Sequence, residues 1–120
     1  MQEENPRRRL AERTIDYGIA AMDYCETLPH GTAGRHICDQ LLRSATSVAA
    51  NYAEASEAES PDDFVHKLKI ALKELKESRV WLLFAKRLVP GDSVESMLRE
   101  SWELTRMISA SINTVRTRRE

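Results

Sequence analysis

Three histidines and two cysteines are the side chains of this 120-residue chain best suited to bind a transition metal. They are His30, His36 and His66, with Cys25 and Cys38. Zinc sites usually draw on closely spaced ligands, as in an HExxH segment or paired CxxC motifs, and the sequence has neither. We therefore expect no metal site and no cofactor.

Acidic residues raise two other kinds of chemistry, general acid–base catalysis and a di-iron centre. Asp62, Asp63 and His66 fall within one helical turn, but acids in a first turn are typical of helix capping. Glu54 and Glu57 have the spacing of three found in carboxylate-bridged centres, yet no ExxH motif accompanies them. Neither group indicates a catalytic site.

Nucleophilic and phosphate-binding motifs are also missing from the sequence. Ser44 and Ser47 have no apparent histidine and acid partners, and no glycine-rich phosphate loop occurs. The sequence thus predicts a protein that is not an enzyme and shows no evident small-molecule substrate.

A stretch of small residues, RSATSVAANYAEA over residues 43–55, carries a different kind of polar pattern. Arg43, Ser47, Asn51 and Glu54 follow one another at spacings of four, four and three, so they form one polar stripe on a helix. Small side chains let a neighbouring helix come close, towards the lower end of an interaxial range of about 8–10 Å. The pattern indicates helix packing or assembly.

The charged residues of this stripe need partners elsewhere. Arg43 and Glu54 are about 16 Å apart along a helix, so they cannot pair with each other. Glu77 and Arg79 of the next helix are candidate partners, with water or another subunit as alternatives. A pairing of this kind would fix packing register or assembly more than it would add stability.

Composition favours a helical globular domain. The chain has 42% hydrophobic and 31% charged residues, with four glycines and four prolines, which fits one domain over residues 1–120 with a frayed start at residues 1–6. The formal net charge of −1 does not indicate a nucleic-acid or membrane surface, and the chain has no long apolar run, so we expect a cytoplasmic protein.

Cys25 and Cys38 are interpreted as buried free thiols, although the sequence leaves a disulfide open.

Four segments repeat apolar residues at spacings of three and four, as amphipathic helices do. The predicted inward stripes are Leu10, Thr14, Tyr17, Ala21, Tyr24 and Leu28; Ile37, Leu41, Ala45, Val48, Tyr52 and Ala55; Phe64, Leu68, Ala71, Leu75, Ser78, Leu82, Ala85 and Val89; and Val94, Leu98, Ser101, Leu104, Ile108, Ile112 and Val115. Long helices with short connections predict an all-α, up-down-up-down antiparallel four-helix bundle.

Local signals mark where these helices begin and end. The first helix should start after Pro6 and stop at Pro29-His30-Gly31, and the second should start near Thr32 or Gly34. Ser60 followed by Pro61 predicts a capped start for the third, which Pro90-Gly91 ends. Asp92 and Glu95 have the spacing of a capping box for the fourth helix.

Basic residues concentrate in the third segment. Residues 61–90 hold seven Lys or Arg against four acids, and Lys69, Lys73 and Lys76 share one helix face. Such a face could contact RNA or DNA phosphates, with Arg7–Arg9 and the C-terminal arginines adding to it in an assembly. The alternative is an ordinary solvated face offset by Glu74 and Glu77.

Apolar residues exceed what one inward stripe requires. Ile70, Val80, Trp81, Phe84 and Leu88 form a second apolar line on the third helix. Large aromatic residues, among them Tyr17, Tyr24, Trp81 and Phe84, are candidates to fill space opposite the small-residue stretch, with some left as interface anchors. The excess predicts a homo-oligomer.

The segments DQLLRSATSVAANYAEA, residues 39–55, and FVHKLKIALKELKE, residues 64–77, resemble the bacterial 23S ribosomal RNA intervening-sequence proteins. The resemblance rests on Arg43, Ser44, Ser47, Asn51 and Glu54, and in the next helix on Phe64, Leu68, Ala71 and Glu77. The first and last helices match only in length and periodicity.

This resemblance implies a left-handed up-down bundle that assembles into a ring, with a homopentamer as the expected form. It implies no known reaction. A related bundle of diversity-generating retroelements is similar and binds nucleic acid through a basic ring surface, whereas the present chain has a net charge of −1. A structural or interaction module and a nucleic-acid-binding accessory protein therefore remain the two functional hypotheses.

Overall fold

The computed structural model describes residues 6–119, with side chains from residue 9 to residue 118, and contains four α-helices. Helix α1 spans Pro6–Cys25, α2 Thr32–Ser56, α3 Pro61–Leu88 and α4 Asp92–Arg119. The all-α class and the bundle are as predicted. The fraying predicted for residues 1–6 falls outside the described residues, except for Pro6, which is the first residue of α1.

Residue pairs between neighbouring helices show that each helix runs opposite to the next. Cys25 near the end of α1 lies against Cys38 near the start of α2, and Glu54 near the end of α2 pairs with Lys67 near the start of α3. Lys86 near the end of α3 pairs with Glu95 in the first turn of α4. Each helix packs on two neighbours, so that α1 and α3 lie diagonally across the bundle.

The buried side chains follow the predicted inward stripes closely. Every predicted position of α1 and α2 is buried. Four positions differ: Phe64 is only half-buried while Val65 is buried, Val89 is half-buried as the residue that caps α3, Met97 is buried in place of half-buried Leu98, and Val115 is half-buried. All of these positions lie in or next to the first or last two turns of a helix.

Two tyrosines of α1 reach across the core to the diagonal helix. The Tyr17 hydroxyl lies 2.7 Å from Ser78 Oγ, and the Tyr24 hydroxyl donates to the carbonyl of Val89 at 2.7 Å. Ser78 itself donates to Leu75 O, so Tyr17 is the donor of the pair. Burial raises the pKa of Tyr17 to about 12, which keeps this buried phenol neutral and able to donate.

Small residues let α1 and α2 approach closely. A Cβ added to Gly18 of α1 would lie 3.4 Å from Thr46 Cγ2 and 3.9 Å from Ala45 O, so the two backbones meet inside the RSATSVAANYAEA stretch. Ala45 and Val48 of this stretch are fully buried. The small residues therefore serve packing within the bundle.

The end of α1 differs from the sequence prediction, whereas α2 begins at Thr32 as predicted. Helix α1 ends at Cys25, earlier than Pro29, because the amides of Thr27 and Leu28 bond to carbonyls three residues back and tighten the chain into a turn. The connection then folds over the start of α2, where a Cβ on Gly34 would lie 2.9 Å from the carbonyl carbon of Pro29. Only glycine fits at that position.

Of the two predicted helix caps, the cap of α3 is confirmed and the capping box of α4 is wrong. Ser60 accepts a hydrogen bond from the Asp63 amide at 3.1 Å, with Pro61 as the first helical residue, as predicted. The capping box of α4 is wrong, because Asp92 is already the first helical residue and the Glu95 carboxylate pairs with Lys86 at 2.5 Å. The cross-helix cation competes successfully for this carboxylate.

The two cysteines are free thiols that lie against each other. Cys25 is buried and its Sγ contacts the carbonyl of Cys38 at 3.8 Å, whereas Cys38 is half-buried. Burial, together with the neighbouring Cys38, raises the pKa of Cys25 to about 12. A thiol with such a pKa is almost entirely protonated at neutral pH and is a poor nucleophile.

Iodoacetamide at pH 8 is therefore expected to modify Cys38 and to spare Cys25. At this pH roughly one Cys25 side chain in ten thousand carries the reactive thiolate. Peptide mass spectrometry over a time course measures both rates, and Cys38→Ser provides the control in which almost no label should enter the folded protein. Faster labelling of Cys25 than of Cys38 would contradict this description of the α1–α2 contact.

None of the four helices in the described part of the chain is both long and apolar enough to cross a membrane.

Candidate interaction surfaces

The polar stripe of α2 lies along the contact between α2 and α3. Arg43 Nη1 is 3.3 Å from Glu74 Oε2, and Arg43 also forms an ion pair with Glu77. The antiparallel run of the two helices brings these residues to the same level of the bundle. Arg43 therefore joins two carboxylates that lie one turn apart on α3.

An aromatic cluster continues this contact towards the start of α2. Trp81 donates its indole N–H to Glu77 Oε2 at 3.1 Å, next to the Arg43 pair. The Trp81 ring packs edge-on against His36 with centroids 5.4 Å apart, and Phe84 lies 5.7 Å away. His36 thus acts as a packing partner of an indole ring.

Ser47 and Asn51 of the polar stripe, and Ser44 beside it, form hydrogen bonds within α2 itself. Ser44 donates to Gln40 O at 2.8 Å, Ser47 to Arg43 O at 2.6 Å, and Asn51 Nδ2 to Ser47 O at 2.9 Å. Such bonds let a small polar residue occupy a helix without leaving a polar atom unpaired. Buried side-chain N and O atoms of the described residues all have partners.

Glu54, the last residue of the stripe, also reaches α3. Its Oε2 lies 3.0 Å from Lys67 Nζ. Of the six residues predicted for packing or assembly, Arg43, Glu54 and Glu77 therefore make ion pairs across the α2–α3 contact, and Ser44, Ser47 and Asn51 make hydrogen bonds inside α2.

Removing the cation of this contact should cost little stability. The Arg43 side chain is 46% exposed, so solvent screens its ion pairs, and Arg43→Gln is expected to lower the free energy of unfolding by less than about 1 kcal/mol. Urea unfolding followed by circular dichroism measures this, with Arg106→Gln as the control because its Glu103 pair is also on the surface. A loss above 3 kcal/mol, a value expected only for a broken buried pair, would contradict this weak role.

The three lysines of the predicted basic face are exposed on α3. Lys69, Lys73 and Lys76 make no ion pair with the described residues. Glu74 and Glu77, the acids that the alternative interpretation expects to offset these lysines, form their ion pairs with Arg43 of α2.

The outward faces of α1 and α3 carry large exposed apolar side chains. On α1 these are Ile15, Ile19 and Met22, which are 54%, 48% and 55% exposed. On the second half of α3 they are Val80, Leu83, Phe84 and Leu88, which are 45%, 58%, 55% and 37% exposed. Phe84 was predicted both as a candidate core filler and as part of the second apolar line of the third helix, and its exposure agrees with the second prediction.

Sequence reasoning missed the α1 group altogether. Ile15, Ile19 and Met22 repeat at spacings of four and three, which is the same signal as the inward stripe, shifted to the opposite side of the helix. A second apolar line on a helix that already has one buried face indicates an exposed apolar surface. Contiguous exposed apolar groups of this kind mark interaction surfaces.

Arginines hold α4 to both of its neighbours. Arg13 of α1 binds Glu100 at 2.6 and 3.0 Å, and its hydrogen bond to that carboxylate raises the pKa of Arg13. Arg79 of α3 donates to Thr105 Oγ1 at 2.8 Å and lies 3.8 Å from the centre of the exposed Trp102 ring, while burial lowers its pKa. Arg79, a candidate partner for the α2 stripe, instead faces α4.

A groove of about 650 Å³ opens at the end of the bundle where α2 ends and α3 begins. Tyr52, Phe64 and Val115 form part of its apolar lining, and Glu59 and Arg118 are its charged residues. Within the described chain, no three His, Cys, Asp or Glu side chains gather where they could hold a metal ion.

A solved crystal structure from Bacteroides thetaiotaomicron VPI-5482 is similar to this chain throughout the bundle. It is described as a protein with unknown function from the S23 ribosomal protein family. The two chains are 30% identical and superpose with a TM-score of 0.78, over 86% of this chain and 97% of the other. The same four-helix arrangement therefore occurs in a protein whose own function is not known.

No curated protein matches the chain. A family model does: residues 10–110, which extend from the first turns of α1 well into α4, match the model described as 23S rRNA-intervening sequence protein. On this match over most of its length, and on its bundle fold, the chain belongs to the 23S rRNA-intervening sequence protein family.

Proposed function

We propose that this protein is a non-enzymatic cytoplasmic module whose copies assemble into a ring and present a surface to a partner. The observation that carries the proposal is the pair of exposed apolar faces on α1 and α3. Side chains of this size exposed in contiguous lines are costly in water and mark contacts with another protein. Copies of the same chain are the partner we propose for both faces.

The position of the two faces favours a head-to-tail arrangement. Because α1 and α3 are diagonal in the bundle, their outward faces point to different sides of the protein. A contact that joins two different faces is heterologous, and repeating it produces a closed ring or an open filament. We propose the closed form with five subunits, the number that the family resemblance suggests.

Native mass spectrometry of protein purified without nuclease tests this proposal. The expected species is a discrete multiple of the 13.7 kDa chain, with the pentamer dominant and free of any bound small molecule. A discrete oligomer of another size would correct the subunit number and retain the function. A monomer at micromolar concentration would defeat the proposal.

A second candidate function is phosphate contact with RNA or DNA through Lys69, Lys73 and Lys76. The observation in its favour is that all three are exposed while Glu74 and Glu77 face Arg43. Three cations along one helix face suit a phosphate backbone, which is contacted without sequence preference. The net charge of −1 limits such binding to this local patch.

Fluorescence anisotropy with a labelled 20-nucleotide RNA over a series of salt concentrations tests the second candidate. Replacing the three lysines by Gln should weaken binding and flatten the plot of log affinity against log salt, by about two to three in slope. A chain with the same loss of charge elsewhere on the surface is the matched control, with the exposed residues Arg35, Arg99 and Arg106 replaced by Gln. Binding that is absent at low salt, or that both chains weaken equally, would reject the lysine face.

A further inference from the structure

The outward face of α1 carries a line of five residues with an acid at each end. Glu12, Ile15, Ile19, Met22 and Glu26 follow at spacings of three, four, three and four, and all five are exposed. Glu26 lies just past the end of α1, but its amide still bonds to Met22 O at 3.3 Å and keeps it on the helical path. We call this line the α1 seam.

The outward face of α3 carries a line with the same spacings and the opposite charge. Lys73, Lys76, Val80, Leu83 and Arg87 follow at three, four, three and four, and all five are exposed. Val80 and Leu83 are the apolar centre of the line, and cations stand on both sides of them. We call this line the α3 seam.

The two seams match in length and period. Each covers 14 residue steps, which is about 21 Å along a helix. Alternating spacings of three and four average 3.5, the repeat with which two helices pack side by side along a continuous apolar seam. Laid against each other, the seams bring apolar side chains together in the centre and place a carboxylate opposite a cation at each end.

Charge excludes the symmetrical alternatives. An α1 seam against another α1 seam would oppose Glu12 or Glu26 to a second carboxylate, and an α3 seam against another α3 seam would oppose cations. Like charges brought together in a contact cost free energy, whereas opposite charges favour the encounter and fix the register. Only the unlike pairing places opposite charges together at both ends.

We infer that the α1 seam of one copy docks on the α3 seam of the next copy. This inference rests on the self-association proposed above and names the surfaces that produce it. It also places Lys73 and Lys76 inside the contact between copies, where their long aliphatic stems cover apolar surface. At these two lysines, assembly and phosphate binding exclude each other.

A charge-swap series measured by sedimentation velocity tests the inference. One chain carries Glu12→Lys and Glu26→Lys, a second carries Lys73→Glu and Arg87→Glu, and a third carries all four substitutions. Each two-residue reversal should raise the dissociation constant of assembly by about tenfold or more. The four-residue swap should restore the mass of the unaltered protein, because the seams are again opposite in charge.

Two controls check that the substituted chains remain folded. Far-ultraviolet circular dichroism must show the same helical content in all chains, and the milder single reversals Glu26→Lys and Arg87→Glu are measured beside them. A swapped chain that remains dissociated, or reversed chains that keep the mass of the unaltered oligomer, would overturn the pairing alone. An unaltered protein that is monomeric would overturn self-association as well.

Discussion

A single Ile19→Asp substitution is expected to convert the oligomer into 13.7 kDa monomers without loss of helical structure. Ile19 is at the centre of the α1 seam and is half exposed in the isolated chain, so its replacement leaves the core intact. In the assembly the same position would be covered, and a buried carboxylate without a partner is strongly unfavourable. We expect the dissociation constant to rise by about 100-fold or more.

Sedimentation equilibrium over a concentration series measures this shift. Ala50→Asp is the matched control, since Ala50 is exposed on α2 and receives the same charge away from both seams. That chain should retain the mass of the unaltered protein. If Ile19→Asp leaves the mass unchanged while Ala50→Asp dissociates the oligomer, the contact between copies lies on α2 and the assignment of the faces is wrong.

The second large effect is expected inside the bundle, where Ala45→Leu should lower the free energy of unfolding by about 1–3 kcal/mol. Ala45 is fully buried in the small-residue stretch of α2, and its carbonyl lies 3.9 Å from the Cβ position of Gly18 on α1. A leucine at this position would force the two backbones apart or drive neighbouring side chains out of their preferred rotamers. Both outcomes destabilise the core.

Urea unfolding at a fixed protein concentration measures the change, because self-association would otherwise shift the midpoint. Ala50→Leu is the control: the same helix receives the same side chain at an exposed position, and stability should change by no more than about 0.5 kcal/mol. Equal stability of the Ala45 and Ala50 variants would show that α1 and α2 are not in close contact at this level.

Much of the fold follows from the sequence because apolar periodicity reports directly on burial. The stripes from Leu10 to Leu28 and from Ile37 to Ala55 are buried at every predicted position. Ser60 and Pro61 fix the start of α3 through a local hydrogen bond that depends on adjacent residues alone. Signals of this kind are complete within a few residues of sequence, which is why they are predictable.

The errors arise where a side chain binds a partner that is distant in the sequence. Glu95 has the right spacing for a capping box, but Lys86 from the preceding helix binds its carboxylate. Competition between a local and a long-range partner is not visible in one-dimensional spacing.

The candidate surfaces were predictable only in part. The resemblance and the small-residue pattern drew attention to Arg43 and Glu77, which do meet across α2 and α3. A second apolar line was predicted on the third helix, but the corresponding line of α1, formed by Ile15, Ile19 and Met22, was not, although its spacings carry the same signal. Its complement on α3 becomes apparent only when the bundle shows that both lines face outward.

Multi-angle light scattering of the unaltered protein, separated by size-exclusion chromatography at micromolar concentration, is the most direct test of whether the exposed faces of α1 and α3 are covered by other copies. We predict a single peak whose mass is a whole multiple of 13.7 kDa, with five copies as the expected number. A peak at 13.7 kDa would contradict it, because Ile19 and Leu83 would then stand exposed to water in the native protein.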